Sequence, residues 1–138
     1  MIQEALMNQL KGVVPDLTWT IDYRTADDNT GTVYSTPGFP PDQYDTQYRY
    51  PSYQVYIRSS DWDFAKFAAE QTFQAFHNKI NFVVSTEYEK DGEVVLTRKF
   101  HVFTIMASSE PIPVGVKDEI MEYSINFDVT LKEIKEDD

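Results

Sequence analysis

Residues 111–133 read PIPVGVKDEIMEYSINFDVTLKE, and they contain the clearest strand pattern in the chain. From residue 121 to residue 131 every odd position is apolar and every even position is polar. Alternation with a period of two places the apolar side chains on one face of a strand that spans roughly 36 Å. A loop rich in Pro and Gly is predicted to lead into it. The apolar positions are Met121, Tyr123, Ile125, Phe127, Val129 and Leu131.

Four further segments carry strand signals. Asp91-Gly92 is typical of a two-residue hairpin turn, because both positions of a type I′ turn need positive φ. This turn would place Lys90 opposite Glu93. Residues 100–106 are apolar on both faces and are expected to be covered on both sides, whereas the other half of that arm is expected to project. The predicted strands are residues 18–23, 52–58, 82–89 and 94–106.

Two helices are predicted. In residues 1–11 apolar side chains recur at helical spacing, and Gly12 follows as a stop signal. The second helix is expected to begin at Ser60, because Ser60 and Asp63 have the spacing of a capping box. An apolar stripe follows from residue 62 to residue 80, so this helix should lie on a sheet.

Residues 24–51 interrupt these patterns with four of the seven prolines, two of the five glycines and four tyrosines. They predict a long loop, with a short hairpin near residues 32–35. Loops of this length are usually functional or disordered, and the tyrosines favour contact with a partner subunit. The candidate contact residues in this loop are Tyr44, Tyr48 and Tyr50. The alternative is an ordered loop that lies on its own domain.

These elements predict an α+β fold: a single domain, residues 1–138, with a mainly antiparallel sheet, two helices packed on it and a long Tyr/Pro-rich loop. The net charge of −11 argues against wrapping nucleic acid, which clustered Lys and Arg bind. The chain has no cysteine, so disulfides and thiolate chemistry are excluded. We expect neither a signal peptide nor a membrane span, and a soluble protein made in the cytoplasm.

The sequence carries no catalytic motif. Neither His77 nor His101 lies in a recognisable motif, and the five scattered glycines do not form a phosphate-binding loop. Residues 27–31 lack the Gly and Glu spacing of a calcium loop. We therefore expect no metal, no cofactor and no enzymatic activity. The remaining catalytic alternative is an acid–base enzyme that uses His101 and a carboxylate.

Two segments carry a resemblance to a known family: residues 50–80, YPSYQVYIRSSDWDFAKFAAEQTFQAFHNKI, and residues 111–133. They resemble the tail terminator proteins of long-tailed bacteriophages, also described as minor capsid or tail completion proteins. In that family a strand with an Arg near its end enters an amphipathic helix, and later a Pro, a Gly and an acidic pair precede a tyrosine in the last strand. The matching positions are Arg58, Pro111 or Pro113, Gly115, Asp118, Glu119 and Tyr123.

The resemblance implies a ring, commonly of six copies, that caps the tail tube and contacts head-completion or connector proteins. It implies a place at the tail/neck junction of the virion, with assembly in the host cytoplasm and DNA passing through the lumen without specific binding. Arg58, Gly115, Asp118 and Glu119 become candidate contact residues. Residues 24–51 match no pattern of the family. The alternatives are a tail tube or head–tail connector protein, or a binding module whose platform is Tyr34, Tyr44, Tyr48, Tyr50 and Tyr53.

Overall fold

The computed structural model describes residues 2–45 and 47–135. In chain order the elements are α1 (Gln3–Val13), β1 (Thr18–Ile21), β2 (Thr30–Phe39), β3 (Tyr48–Ser59), α2 (Trp62–Phe76), β4 (Lys79–Lys90), β5 (Glu93–Ala107), β6 (Ile112–Lys117) and β7 (Ile120–Ile134).

Across the described residues seven strands form one sheet in the order β1-β2-β3-β7-β5-β4, with β6 as a further partner of β7. The sheet is mixed, because β1 runs parallel to β2 while the other neighbouring pairs are antiparallel. The central strand is β7, which pairs with β3 along one edge and with β5 and β6 in succession along the other. Its predicted alternation is confirmed, since Ile125, Phe127, Val129 and Leu131 are buried.

Both helices contribute to the core on the apolar face of β7. Leu6 and Leu10 of α1 are buried, and the ring of Phe76 from α2 meets that of Phe127 edge-on at 5.5 Å. Burying one such phenyl side chain contributes about 2 kcal/mol to stability. The helix α1 contacts β1 and β2 at one side of the sheet and β4 at the other, so the sheet curls around it. The ammonium group of Lys79 donates a hydrogen bond of 2.6 Å to Gln9 of α1.

The N-cap of α2 is Asp61, so the prediction of Ser60 was wrong by one residue. The carboxylate of Asp61 accepts a hydrogen bond from the backbone N–H of Phe64 at 3.1 Å. Ser60 instead bonds to Asp28, donating from its backbone N–H at 2.8 Å and from its hydroxyl at 2.6 Å. The bond from the Ser60 hydroxyl, and to a smaller extent the bond from its backbone N–H, lowers the pKa of Asp28. The Asp28 carboxylate thus ties the segment between β1 and β2 to the start of α2.

The prediction of a loop over residues 24–51 is corrected, because β2 occupies residues 30–39 and β3 begins at Tyr48. Pro37 and Gly38, two of the residues that suggested a loop, lie at an irregularity inside a strand, because the register between β2 and β3 shifts between Thr36 and Phe39. Gly38 lies in this shift with a φ of 67°, and a Cβ there would collide with the backbone carbonyl of Tyr50. The position therefore requires glycine.

The predicted lead-in loop of residues 111–119 is also mostly strand. Residues 112–117 form β6, and Asp118 and Glu119 form the turn to β7 with φ values of 52° and 67°. Lys117 and Ile120 face each other across that turn. Pro113 is tolerated because β6 lies at an outer edge of the sheet, and the register shifts between Pro113 and Gly115.

The predicted Asp91-Gly92 hairpin is confirmed by the pairing of Lys90 with Glu93, and Asp91 has a φ of 54°. The outer half of this hairpin, residues 85–97, extends away from the core, and most of its side chains are exposed. Tyr88 and Leu96 face each other across it and are both more than half exposed. No helix among the described residues is long and apolar enough to cross a membrane.

Candidate functional site

The candidate contact residues lie in two groups at opposite ends of β3. Tyr48 and Tyr50 begin the strand, with Tyr44 in the preceding segment, whereas Arg58 is near its end. Tyr48 and Arg58 are ten residue steps apart along the strand, a distance of about 33 Å. The structure therefore forms two separate surfaces, the tyrosine end of β3 and the arginine end of β3.

At the tyrosine end, Tyr44 is the most open aromatic side chain, with 91% of its surface exposed. The Tyr48 ring packs against Phe103 of β5 with centroids 5.5 Å apart, and the ammonium group of Lys132 lies 6.0 Å from its centre. The Tyr48 side chain therefore already has contacts within its own chain, whereas the Tyr44 side chain is exposed to solvent.

Asp42 organises the turn that presents Tyr44. Its carboxylate accepts backbone hydrogen bonds from Asp45 and Tyr44, each at 2.9 Å, and a bond of 3.1 Å from the hydroxyl of Tyr50. These bonds, in that order, lower the pKa of Asp42. The pKa of Tyr50 is raised, first by desolvation and then by its bond to Asp42.

At the arginine end, Arg58 forms an ion pair of 2.8 Å with Glu122 of β7. The two side chains are only 14% and 12% exposed. The hydroxyl of Tyr56 donates a bond of 2.6 Å to the second carboxylate oxygen of Glu122. Desolvation, followed by this bond, raises the pKa of Tyr56 to about 12. Arg58 therefore has an internal partner that the sequence did not identify.

The three other candidate residues lie beside this pair, on β6 and its turn. Gly115 is opposite Glu122 in the register of β6 and β7, and Glu122 is opposite Arg58 in the register of β3 and β7. The three residues therefore lie side by side across β6, β7 and β3. The backbone carbonyl of Glu119 accepts a bond of 2.9 Å from the indole of Trp62, and this bond holds the Asp118-Glu119 turn against the start of α2. All three side-chain positions are exposed.

The arginine end also includes a pocket that the sequence did not predict. It has a volume of about 270 Å³ and lies on the face of the sheet opposite the helices. Its walls come from β2, β3 and the segment after β1, and its residues are Arg24, Thr32, Tyr34, Gln54, Tyr56 and Arg58. Sequence reasoning could not find this pocket because the Pro and Gly residues of β2 predict a loop there. A signal was present in TVY, residues 32–34, which alternates as strands do.

Both histidines pack against aromatic side chains of their own chain. The Nδ1 atom of His77 accepts a backbone bond from Ala107 at 3.1 Å, and its ring stacks on Phe73. The His101 ring packs against Phe103 at 4.2 Å. Within residues 2–45 and 47–135 no group of His, Asp and Glu side chains is arranged to hold a metal ion.

The tyrosines of the proposed platform do not form one surface. Tyr53 is buried in the core with 1% exposure, and its hydroxyl accepts a bond from the backbone of Ile2. Tyr34 lies in the pocket at the arginine end of β3. An aromatic platform of all five tyrosines is therefore excluded by their positions.

A protein-family model described as bacteriophage tail terminator protein matches residues 6–133. The match includes both ends of β3, the pocket and residues 24–51, in which the sequence alone showed no recognisable family pattern. A search of curated proteins found no match.

Proposed function

Because the chain belongs to the bacteriophage tail terminator family and is therefore a structural component of the phage tail, we propose that its copies form a ring of six that caps the tail tube. The ring joins the tube to head-completion or connector proteins at the tail/neck junction of the virion. Subunits are made and assembled in the host cytoplasm. The proposal involves no catalysis and no cofactor.

The family match over residues 6–133 carries this proposal, and the strand edges support it. The strand β6 pairs with β7 on one side, and Ile112, Val114 and Val116 are each about half exposed. Exposed strand edges with apolar side chains favour pairing with, or coverage by, another chain. Neighbouring subunits in a ring provide such coverage.

The two ends of β3 supply a second argument for a ring. A closed ring requires each subunit to present two different, complementary surfaces. One end of β3 presents the exposed Tyr44, and the other presents the Asp118-Glu119 turn together with the pocket. Chemically different surfaces about 33 Å apart suit contacts with two different neighbours.

The net charge supports a conduit for DNA without specific binding. Each copy carries −11, so the inner wall of a ring would repel the phosphate backbone. Repulsion lets DNA slide through the lumen instead of adhering to it.

Electron microscopy of the purified chain, with and without phage tail tubes and at several ionic strengths, tests the proposal. We expect closed rings and caps at the tube ends. Tubes that grow from the chain alone would instead indicate a tail tube protein. Material that gives neither rings nor caps under any of these conditions would refute the proposed function.

Two substitutions sharpen this test. Val114→Lys places a charge on the exposed edge of β6, and we expect it to weaken ring formation at least tenfold. Val95→Lys, on the projecting hairpin, is a control of equal charge and similar exposure. Equal losses from both variants would argue against β6 as the subunit contact.

A further inference from the structure

We propose that the pocket at the arginine end of β3 is a carboxylate-binding site that receives an acidic side chain from a neighbouring copy of this chain. This occupant rests on the proposed ring. The site itself rests on three observations: the guanidinium groups in its walls, the unpartnered Nε atom of Arg58, and the acidic composition of the chain.

The pocket concentrates positive charge in an acidic protein. Arg24 and Arg58 both contribute to its walls, and Glu122 is the carboxylate that pairs with Arg58 from within the chain. Arg24 pairs only at 3.3 Å with Asp27, a side chain that is 82% exposed. Exposed pairs of this kind contribute little, so Arg24 is free to turn toward a better partner.

The fold leaves hydrogen-bonding capacity unused at this point. Among the described residues, the Nε atom of Arg58 and the hydroxyl of Thr30 are buried and have no hydrogen-bond partner. Thr30 lies directly opposite Arg58 in the register of β2 and β3, but of the two residues Arg58 alone lines the pocket. A buried donor without a partner costs about 1–3 kcal/mol, so a movement of the Arg58 side chain that brings Nε to an incoming acceptor is favoured.

Two residues of the pocket wall, Arg58 and Tyr56, already bind a carboxylate of this chain, that of Glu122, which lies outside the pocket lining. Arg58 donates to one oxygen of Glu122 and Tyr56 donates to the other. Arg24 and Tyr34 line the same pocket, so a second guanidinium and a second phenol are present there for another carboxylate. A volume of about 270 Å³ accommodates a Glu or Asp side chain.

The most abundant source of such side chains is the chain itself, with 23 acidic residues against 12 basic ones. In a ring, the neighbouring copy is held at a high effective concentration, so even a weak ion pair can form at each interface. The same pair is then repeated at every interface of the ring. Nucleic acid is disfavoured as the occupant, because two arginines, one of them already paired with Glu122, do not provide the clustered Lys and Arg that bind a phosphate backbone.

The first test measures the oligomeric state of the full chain by sedimentation velocity. Arg24→Glu reverses the charge at the pocket mouth, and we expect ring formation to weaken at least tenfold. Lys66→Glu changes the net charge equally at an exposed position of α2, and we expect it to assemble as the unchanged protein does. Rings of Arg24→Glu as tight as those of Lys66→Glu would overturn the inference.

The second test does not depend on ring formation. The peptide acetyl-Gly-Glu-Gly-amide and, separately, inorganic phosphate are added to dilute, monomeric full-length chain while the arginine side-chain NMR signals are followed. We expect the peptide to shift the Arg24 and Arg58 signals, and Arg24→Gln to abolish the response. No shift, or a stronger response to phosphate, would overturn the inference. A chain that never assembles yet responds to the peptide would refute the ring and support the carboxylate site.

Discussion

Removing the carboxylate of Glu122 is expected to destabilise the fold far more than removing a carboxylate from an exposed pair. Glu122→Ala leaves Arg58 without its counter-ion at a site where the two side chains are 14% and 12% exposed. Breaking a buried pair from one side costs about 3–5 kcal/mol, and the remaining exposure favours the lower value. The hydroxyl of Tyr56 also loses its acceptor, which adds about 1 kcal/mol.

The expected total is therefore about 4 kcal/mol in the free energy of unfolding. For a domain of this size that corresponds to a drop in Tm of roughly 15 °C. Urea unfolding followed by tryptophan fluorescence measures it, with all variants at one protein concentration because assembly raises apparent stability. The matched control is Glu133→Ala. Glu133 pairs with Arg98 at the same 2.8 Å, but these side chains are 27% and 39% exposed, so we expect a loss below about 1 kcal/mol.

A double variant separates charge from packing. Arg58→Met combined with Glu122→Leu removes both charges and keeps similar volumes, so its stability should be within about 1 kcal/mol of the unchanged protein. Two results would refute the reasoning: equal losses from Glu122→Ala and Glu133→Ala, or a double variant as unstable as Glu122→Ala. The first would mean that water screens the Arg58 pair, and the second that shape matters there more than charge.

Three other predictions concern packing and pH. Gly31→Ala is expected to lower the free energy of unfolding by about 2 kcal/mol or more, because its Cβ would collide with the Trp19 ring. The control Gly12→Ala, whose Cβ meets open space, should be neutral or stabilising in the same thermal unfolding experiment. Similar effects of the two substitutions would show that the Trp19 ring moves aside. The folded-state pKa of Tyr56 is raised to about 12, so its contribution to stability is complete below about pH 10 and is lost as the pH rises through 12. Tyr56→Phe should therefore reduce the fall of Tm at alkaline pH. An unchanged fall would contradict the assignment to Tyr56. The bond from the Ser60 hydroxyl lowers the pKa of Asp28, so the contribution of Asp28 to stability is present above the ordinary carboxylate pKa and is lost as the pH falls through the lowered value. Asp28→Asn should therefore reduce the loss of Tm between pH 5 and pH 2. The same loss of Tm in the variant and the unchanged protein would contradict this prediction.

The strands that the sequence predicted well are those with strong local signals. The alternation of β7 and the Asp91-Gly92 turn each depend on neighbouring residues, and both are present in the structure. The strands β2 and β6 resemble loops in sequence because each contains a Pro and a Gly. The outer half of β2 extends past β1 and pairs with β3 alone, and β6 is itself an edge. Edge positions and register shifts are where a sheet tolerates these residues.

The candidate site was less predictable, because it depends on strand pairing between distant residues. Arg58 was identified through a family resemblance, but its pairing with Glu122 requires the register of β3 against β7, which no local pattern encodes. The pocket further requires β2 beside β3 and places Arg24 near Arg58. Tyr44, whose exposure follows from a short polar turn, could be proposed from sequence alone.

The central position of β7 has a consequence for the order of events during synthesis. The strands β3, β5 and β6 all pair with β7, which follows each of them in chain order. A ribosome adding about 5–20 residues per second therefore completes the β2–β3 and β4–β5 hairpins while the strand that joins them is still missing. Until β7 is made, the apolar faces of those hairpins have no common core, and exposed apolar surface of this kind favours aggregation.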